Sequence, residues 1–147
     1  MAEITRKELL MALMGAQRLR LAGVDLSTLS LARLDFEGGN LRGANLQASN
    51  LREAILRSTN MTGASLVRAD CSFADMNGAT LIMVDFSVAN LTGARLTGSN
   101  LTNVNLNGAN LSQADMKGAN VTGVRFDAGT TWPDGKKGSQ SNPANYI

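Results

Sequence analysis

The sequence predicts an all-β solenoid with a short N-terminal capping helix: a chain that turns once every five residues and stacks its turns into a rod. Three observations carry this. An apolar residue recurs at every fifth position from Leu21 to Phe126, 22 times without an insertion. The residue two before each of these centres is equally restricted: 11 of the 22 are Ala, and neither column holds a charge. Finally, the chain is 44% hydrophobic but only 4% aromatic, with 15 Gly and 2 Pro in 147 residues. Its core has to be assembled from small and mid-sized aliphatic side chains.

Neither regular element has a period of five. On an α-helix five residues advance about 500°, which scatters the centres around the axis. On a strand an odd step sends alternate centres to opposite faces. The pattern closes only if the chain bends once per repeat, keeping the centre and the residue two before it inside. The other three columns carry turn chemistry: Asn or Asp before the centre, Ser, Thr or Arg after it, then often Gly. Stacked at about 4.8 Å with strand-like hydrogen bonding, the centres become ladders inside a narrow tube, and the alanines let the corners close.

The consensus A-[D/N]-L-x-x, seen as ANLTG at 89–93 and GANLSQADMKGANV at 108–121, resembles the pentapeptide-repeat family over residues 19–128. The resemblance implies four repeats per square coil of a right-handed quadrilateral β-helix. On that basis there are about five and a half coils and a rod roughly 26 Å long.

An open solenoid end exposes core and unpaired backbone, so both ends need covers. Residues 1–18 are assigned to an N-terminal cap: Thr5 to Glu8 fits a capping box ahead of Leu9, Leu10, Leu13 and Met14 at helical spacing, and Gly15 supplies a stop. The competing use of such a helix is to bind a partner. Residues 19–128 form the coil. Residues 129–147 are assigned to a non-helical lid at Trp132 and Pro133 followed by a tail, GKKGSQSNPANYI, whose composition predicts disorder.

The chain offers little for catalysis. It has no histidine, the commonest general base and metal ligand. Cys71 is a centre and should be a small core hydrophobe rather than a nucleophile, and a lone cysteine rules out an internal disulfide. Asp25, Asp35, Asp70, Asp75, Asp85 and Asp115 all precede a centre, where Asn and Asp satisfy turn backbone. Five N-x-S/T triplets, at Asn60, Asn90, Asn100, Asn110 and Asn120, are by-products of the repeat. No phosphate loop, dinucleotide fingerprint or zinc spacing is present. The expectation is a non-enzyme with no catalytic residue, cofactor or metal. With no signal-like leader and no membrane-length apolar run, a cytoplasmic location is expected.

What remains is surface. Residues 20 apart should stack, which places Arg95 between Asp75 and Asp115 and Arg33 against Glu53. Arg33, Arg42, Arg52, Arg57 and Arg68 form a mild basic belt. A solvated face accounts for it more readily than phosphate binding, because aromatic stacking partners are missing. Val67, Phe73, Ile82, Met83 and Val88 fall at outward columns where the family prefers polar residues or Gly. Four of them, Val67, Ile82, Met83 and Val88, are expected to adjoin around one corner. A contact site, a tolerated imperfection and burial against a second copy all remain open.

The resemblance also implies a function to be tested against charge. The best-defined activity in the family is binding DNA gyrase or topoisomerase as a mimic of duplex DNA, which demands an acidic rod. Residues 19–128 carry nine acids and nine bases. A neutral coil disfavours the mimic. The leading expectation is a rigid module presenting a surface to another protein. Weak nucleic-acid or acidic-surface binding through the arginine belt is a further alternative; no membrane partner is expected.

Overall fold

The computed structural model describes residues 4–15 and 19–147; residues 1–3 and 16–18 lie outside it. The chain is a right-handed quadrilateral β-helix. Each residue preceding a centre forms a parallel bridge with the residue 20 positions on, from Arg20 with Asn40 to Asn105 with Arg125, so four repeats complete a coil. Only one bridge residue fits on each side, because the chain turns a corner after every centre.

The repeat's composition follows from where its five backbone N–H groups go. In the repeat 89–93, Ala89 N–H closes the corner on the Phe86 carbonyl (2.9 Å) and Asn90 N–H reaches down to the Ala69 carbonyl (2.9 Å). Leu91 and Gly93 N–H reach up to the Asn110 and Ser112 carbonyls (2.7 and 2.8 Å). Only Thr92 N–H lacks a backbone acceptor, and the Asn90 side chain accepts from it (3.1 Å). That one N–H explains the Asn/Asp column. The same side-chain bond recurs in 15 repeats among the described residues.

The second residue after each centre has positive φ in all 21 repeats from Gly23 to Gly123, as a type II turn requires at its third position. Ten of these are Gly, the residue that adopts this region without cost. Inside, the centres from Leu26 to Met116 are at most 2% exposed. Ser49, Thr59 and Ser99 occupy the alanine column, and each hydroxyl donates to the carbonyl three residues back at 2.7–2.8 Å. Cys71 is fully buried, and burial pushes its thiol well above the ordinary value.

Helix α1 (Arg6–Gly15) covers the first coil. Its capping box is formed: Thr5 N–H donates to Glu8 Oε2 (2.7 Å) and Glu8 N–H to Thr5 Oγ1 (3.2 Å), holding the Glu8 carboxyl below its usual range. Leu9 is buried in the core, and the Arg6 guanidinium donates to the Ser30 carbonyl. The side chains of Leu13 and Met14 lie outside the described residues.

The far end corrects the expected disorder of the tail. Residues 129–147 fold as a cover. Thr131 and Pro133 continue the ladder, their carbonyls accepting from Leu111 and Gln113 (2.8 and 2.9 Å). Trp132 is fully buried, edge-on to Phe126 (5.1 Å) and stacked on Tyr146 (5.8 Å). Its indole N–H donates to the Gly138 carbonyl (2.7 Å). Two 3-10 turns, Gly138–Gln140 and Pro143–Tyr146, bring the tail back, and Tyr146 donates to Asp134 (2.8 Å). Composition predicted disorder because it cannot register a single long-range aromatic anchor.

Candidate functional site

The four corners of the coil are set by the turn residues. In the coil 79–98 they lie at 82–83, 87–88, 92–93 and 97–98, here corners 1 to 4, with equivalents 20 residues away in every other coil. This corrects the expected cluster. Ile82 and Met83 stand on corner 1, whereas Val67 and Val88 stand on corner 2. Between them runs a flat side whose outward column holds Ser65 and Asp85, with Asp85 Oδ1 accepting from Ser87 N–H (2.9 Å). The four residues flank one side and do not meet on one corner.

Exposure separates them further. Met83 and Val88 are 57% and 60% exposed, and Phe73, on corner 3 one coil below, is 46% exposed. Val67 and Ile82 are half-buried. The three exposed residues share a backbone property that the residue pattern alone did not reveal. Phe73, Met83 and Val88 sit at φ of 58°, 56° and 59°, in the left-handed region. A non-glycine residue there costs roughly 1–2 kcal/mol, and a β-branched one such as Val88 is a genuine outlier. Ordinary turn economy would place Gly at all three.

Phe73 is the most engaged of the three. Its ring lies against Gly93 of the next coil, where an added Cβ would fall 2.5 Å from two ring carbons. The Arg52 guanidinium sits 5.1 Å from the ring centroid. Val88 lies under Gly108, where an added Cβ would meet Val88 Cγ2 at 3.4 Å.

The basic belt is largely neutralised. Arg33 pairs with Glu53 (2.8 Å), raising the arginine's pKa and holding the Glu53 carboxyl low. Arg52 also reaches Glu53 (3.3 Å). Arg57 pairs with Glu37 in the coil below (3.1 Å), as stacking by 20 foresees, and reaches diagonally to Asp75 (3.6 Å), which it does not. Arg95 meets Asp75 (3.3 Å); among the described residues it makes no ion pair with Asp115. The Arg33–Glu53, Arg52–Glu53 and Arg57–Glu37 pairs are open to solvent, where screening leaves an ion pair little net worth; Asp75, 14% exposed, is the sheltered acid of the set. Arg42 and Arg68, on corners 1 and 2, have no acid within ion-pair distance among the described residues. The five arginines therefore do not act as one cationic surface.

Among the described residues, no group of three or more His, Cys, Asp or Glu is placed to hold a metal ion. No described helix is long and apolar enough to cross a membrane.

The family model for pentapeptide repeats matches residues 44–81 and 89–127, in eight copies. The chain is similar to the pentapeptide repeat protein Rfr23 of the cyanobacterium Cyanothece 51142: 29% identity, TM-score 0.78, covering 84% of this chain and 96% of that one. It is also similar to alr5209, a pentapeptide repeat protein of Nostoc Pcc 7120, at 26% identity and TM-score 0.63, with the same coverages of 84% and 96%. A trypsin-treated form of QnrB1, a plasmid-mediated fluoroquinolone resistance protein, shares the fold at 21% identity and TM-score 0.55, covering 75% of this chain and 62% of that one. No curated protein sequence matches the chain significantly.

Proposed function

The chain belongs to the pentapeptide-repeat family, and from that premise we propose that it is a non-catalytic binding module: a rigid rod presenting a contact surface to another protein. The observation that carries this reading is the division of labour within the repeat. Three of its five side chains are consumed, two by core packing and one by the turn bond. At the corners, by contrast, the chain holds exposed apolar side chains at backbone positions that favour Gly. Such residues stabilise the rod little and are available to a partner.

The neutralised belt leaves little support for nucleic-acid binding. The gyrase-mimic reading has the fold shared with QnrB1 behind it, and a coil with nine acids and nine bases against it.

The test is a quantitative pull-down from the source organism with the wild-type chain and with the Ile82→Lys/Met83→Glu double variant. A polypeptide retained by the wild type and lost from the equally folded variant is expected. The absence of any polypeptide specific to the wild type would remove the reading.

A further inference from the structure

We propose that corners 1, 2 and 3, at the level of the coil 79–98, form an apolar collar clasped by a concave protein partner, with a carboxylate of that partner set against Arg68. This rests on the binding-module reading and deepens it.

The collar is a matter of level. Met83 and Val88 occupy corners 1 and 2 of the coil 79–98. Corner 3 of that coil is Gly93, and the Phe73 ring rising from below lies on it. Three consecutive corners of one coil are thus apolar and outward, while corner 4 carries Gly98. All three side chains come from left-handed positions, where Gly would suit the turn better.

The square cross-section of the rod dictates the partner's shape. Each side is bounded by two adjacent corners, so a flat or convex surface laid on one side meets at most two of the three apolar corners. Two rods lying side by side, two copies of this chain included, would leave one of the three uncovered. A partner that covers all three has to wrap around the rod, and the collar lies where a wrapping surface would grip.

Charge sets its chemistry. Arg68 stands directly beneath Val88 on corner 2, exposed and without an acid in reach among the described residues, whereas Arg33, Arg52, Arg57 and Arg95 are each paired. Asp85 lies between corners 1 and 2 with one carboxylate oxygen occupied by Ser87. The complementary surface is an apolar trough with an acid opposite Arg68 and a hydrogen-bond donor opposite Asp85.

The experiment uses the full chain carrying a photoreactive side chain at Ile82 on corner 1 or at Thr92 on corner 3, irradiated in a lysate of the source organism. The same polypeptide should cross-link from both corners. That polypeptide, purified, should bind Met83→Gly/Val88→Gly and Arg68→Glu at least tenfold more weakly than wild type. Reversing one of its acids to Lys should restore binding to Arg68→Glu. Cross-linking from one corner only, or only to a second copy of the chain, overturns the collar. So does unchanged affinity for the double-glycine variant, which would leave the binding-module reading intact. No cross-linked polypeptide, together with an empty pull-down, overturns both.

Discussion

Replacing Val88 by glycine separates a contact residue from a structural one. Val88 holds φ at 59° and is 60% exposed. Glycine removes a left-handed penalty of roughly 1–2 kcal/mol. Against this stand about 0.5–1 kcal/mol of extra unfolded-chain entropy for glycine. The four-tenths of the side chain that is buried adds about 0.6 kcal/mol at ~1.5 kcal/mol for a fully buried valine. The terms nearly cancel, so Val88→Gly should change stability by less than about 1 kcal/mol, or within about 2–4 °C in a chain of this size. Val88→Ala is the control. It loses the same contact and keeps the strained φ without relief, so it should be less stable than Val88→Gly. At an ordinary extended position the order would be reversed. Thermal unfolding followed by circular dichroism gives both midpoints. A glycine variant melting well below the alanine variant would refute the assignment of strain to this corner.

Three further outcomes follow from the same structure. Leu81→Asp should abolish folding, because Leu81 is fully buried and an unpaired carboxylate there costs several kcal/mol, whereas Ile82→Thr should fold normally, as Thr62, Thr102 and Thr122 do in its column; circular dichroism of the two variants decides. Asn100→Ala should lower the thermal midpoint by about 2–4 °C, since Thr102 N–H loses its acceptor at 3.1 Å and one such bond is worth about 1 kcal/mol, while Asn100→Asp keeps the acceptor and should stay close to wild type. Asp134, held down to about 2 chiefly by its hydrogen bond to Lys136 with Tyr146 adding to it, contributes stability above its ordinary pKa of 3.8 and loses it as pH falls toward about 2. Fluorescence of Trp132, the sole tryptophan, should report loosening of the C-terminal cover in that window, and Asp134→Asn should blunt the transition.

Most of the coil was legible in the sequence because its determinants are local and repeated. Leu91 and Ala89 show the inside, and Asn90 shows a turn that needs a side-chain acceptor. Thr5 and Glu8 show a helix start within four residues. What escaped depends on contacts between distant residues or on backbone sign. The left-handed corner column is masked because 11 of its 21 members are not glycine. Without knowing that the bend falls directly after each centre, Ile82 and Val88 cannot be assigned to different corners. The Arg57–Asp75 bridge crosses between columns, so a step of 20 misses it. The C-terminal cover hangs on Trp132, Phe126 and Tyr146 meeting across up to 20 residues, which composition averages away.

Amide hydrogen exchange resolved by residue tests the assignment of a fixed hydrogen-bond role to every position of the repeat. Thr92 and Thr102 N–H, bonded to the Asn90 and Asn100 side chains, should exchange slowly. Val67 and Ile82 N–H follow Ser65 and Thr80 and have no acceptor among the described residues. They should exchange at least about tenfold faster, the equivalent of one hydrogen bond. Leu81 and Leu101 N–H, held in the ladder at 2.8 Å, should be among the slowest in the chain. Val67 and Ile82 exchanging as slowly as Thr92 and Thr102, or Leu81 and Leu101 exchanging freely, would contradict it.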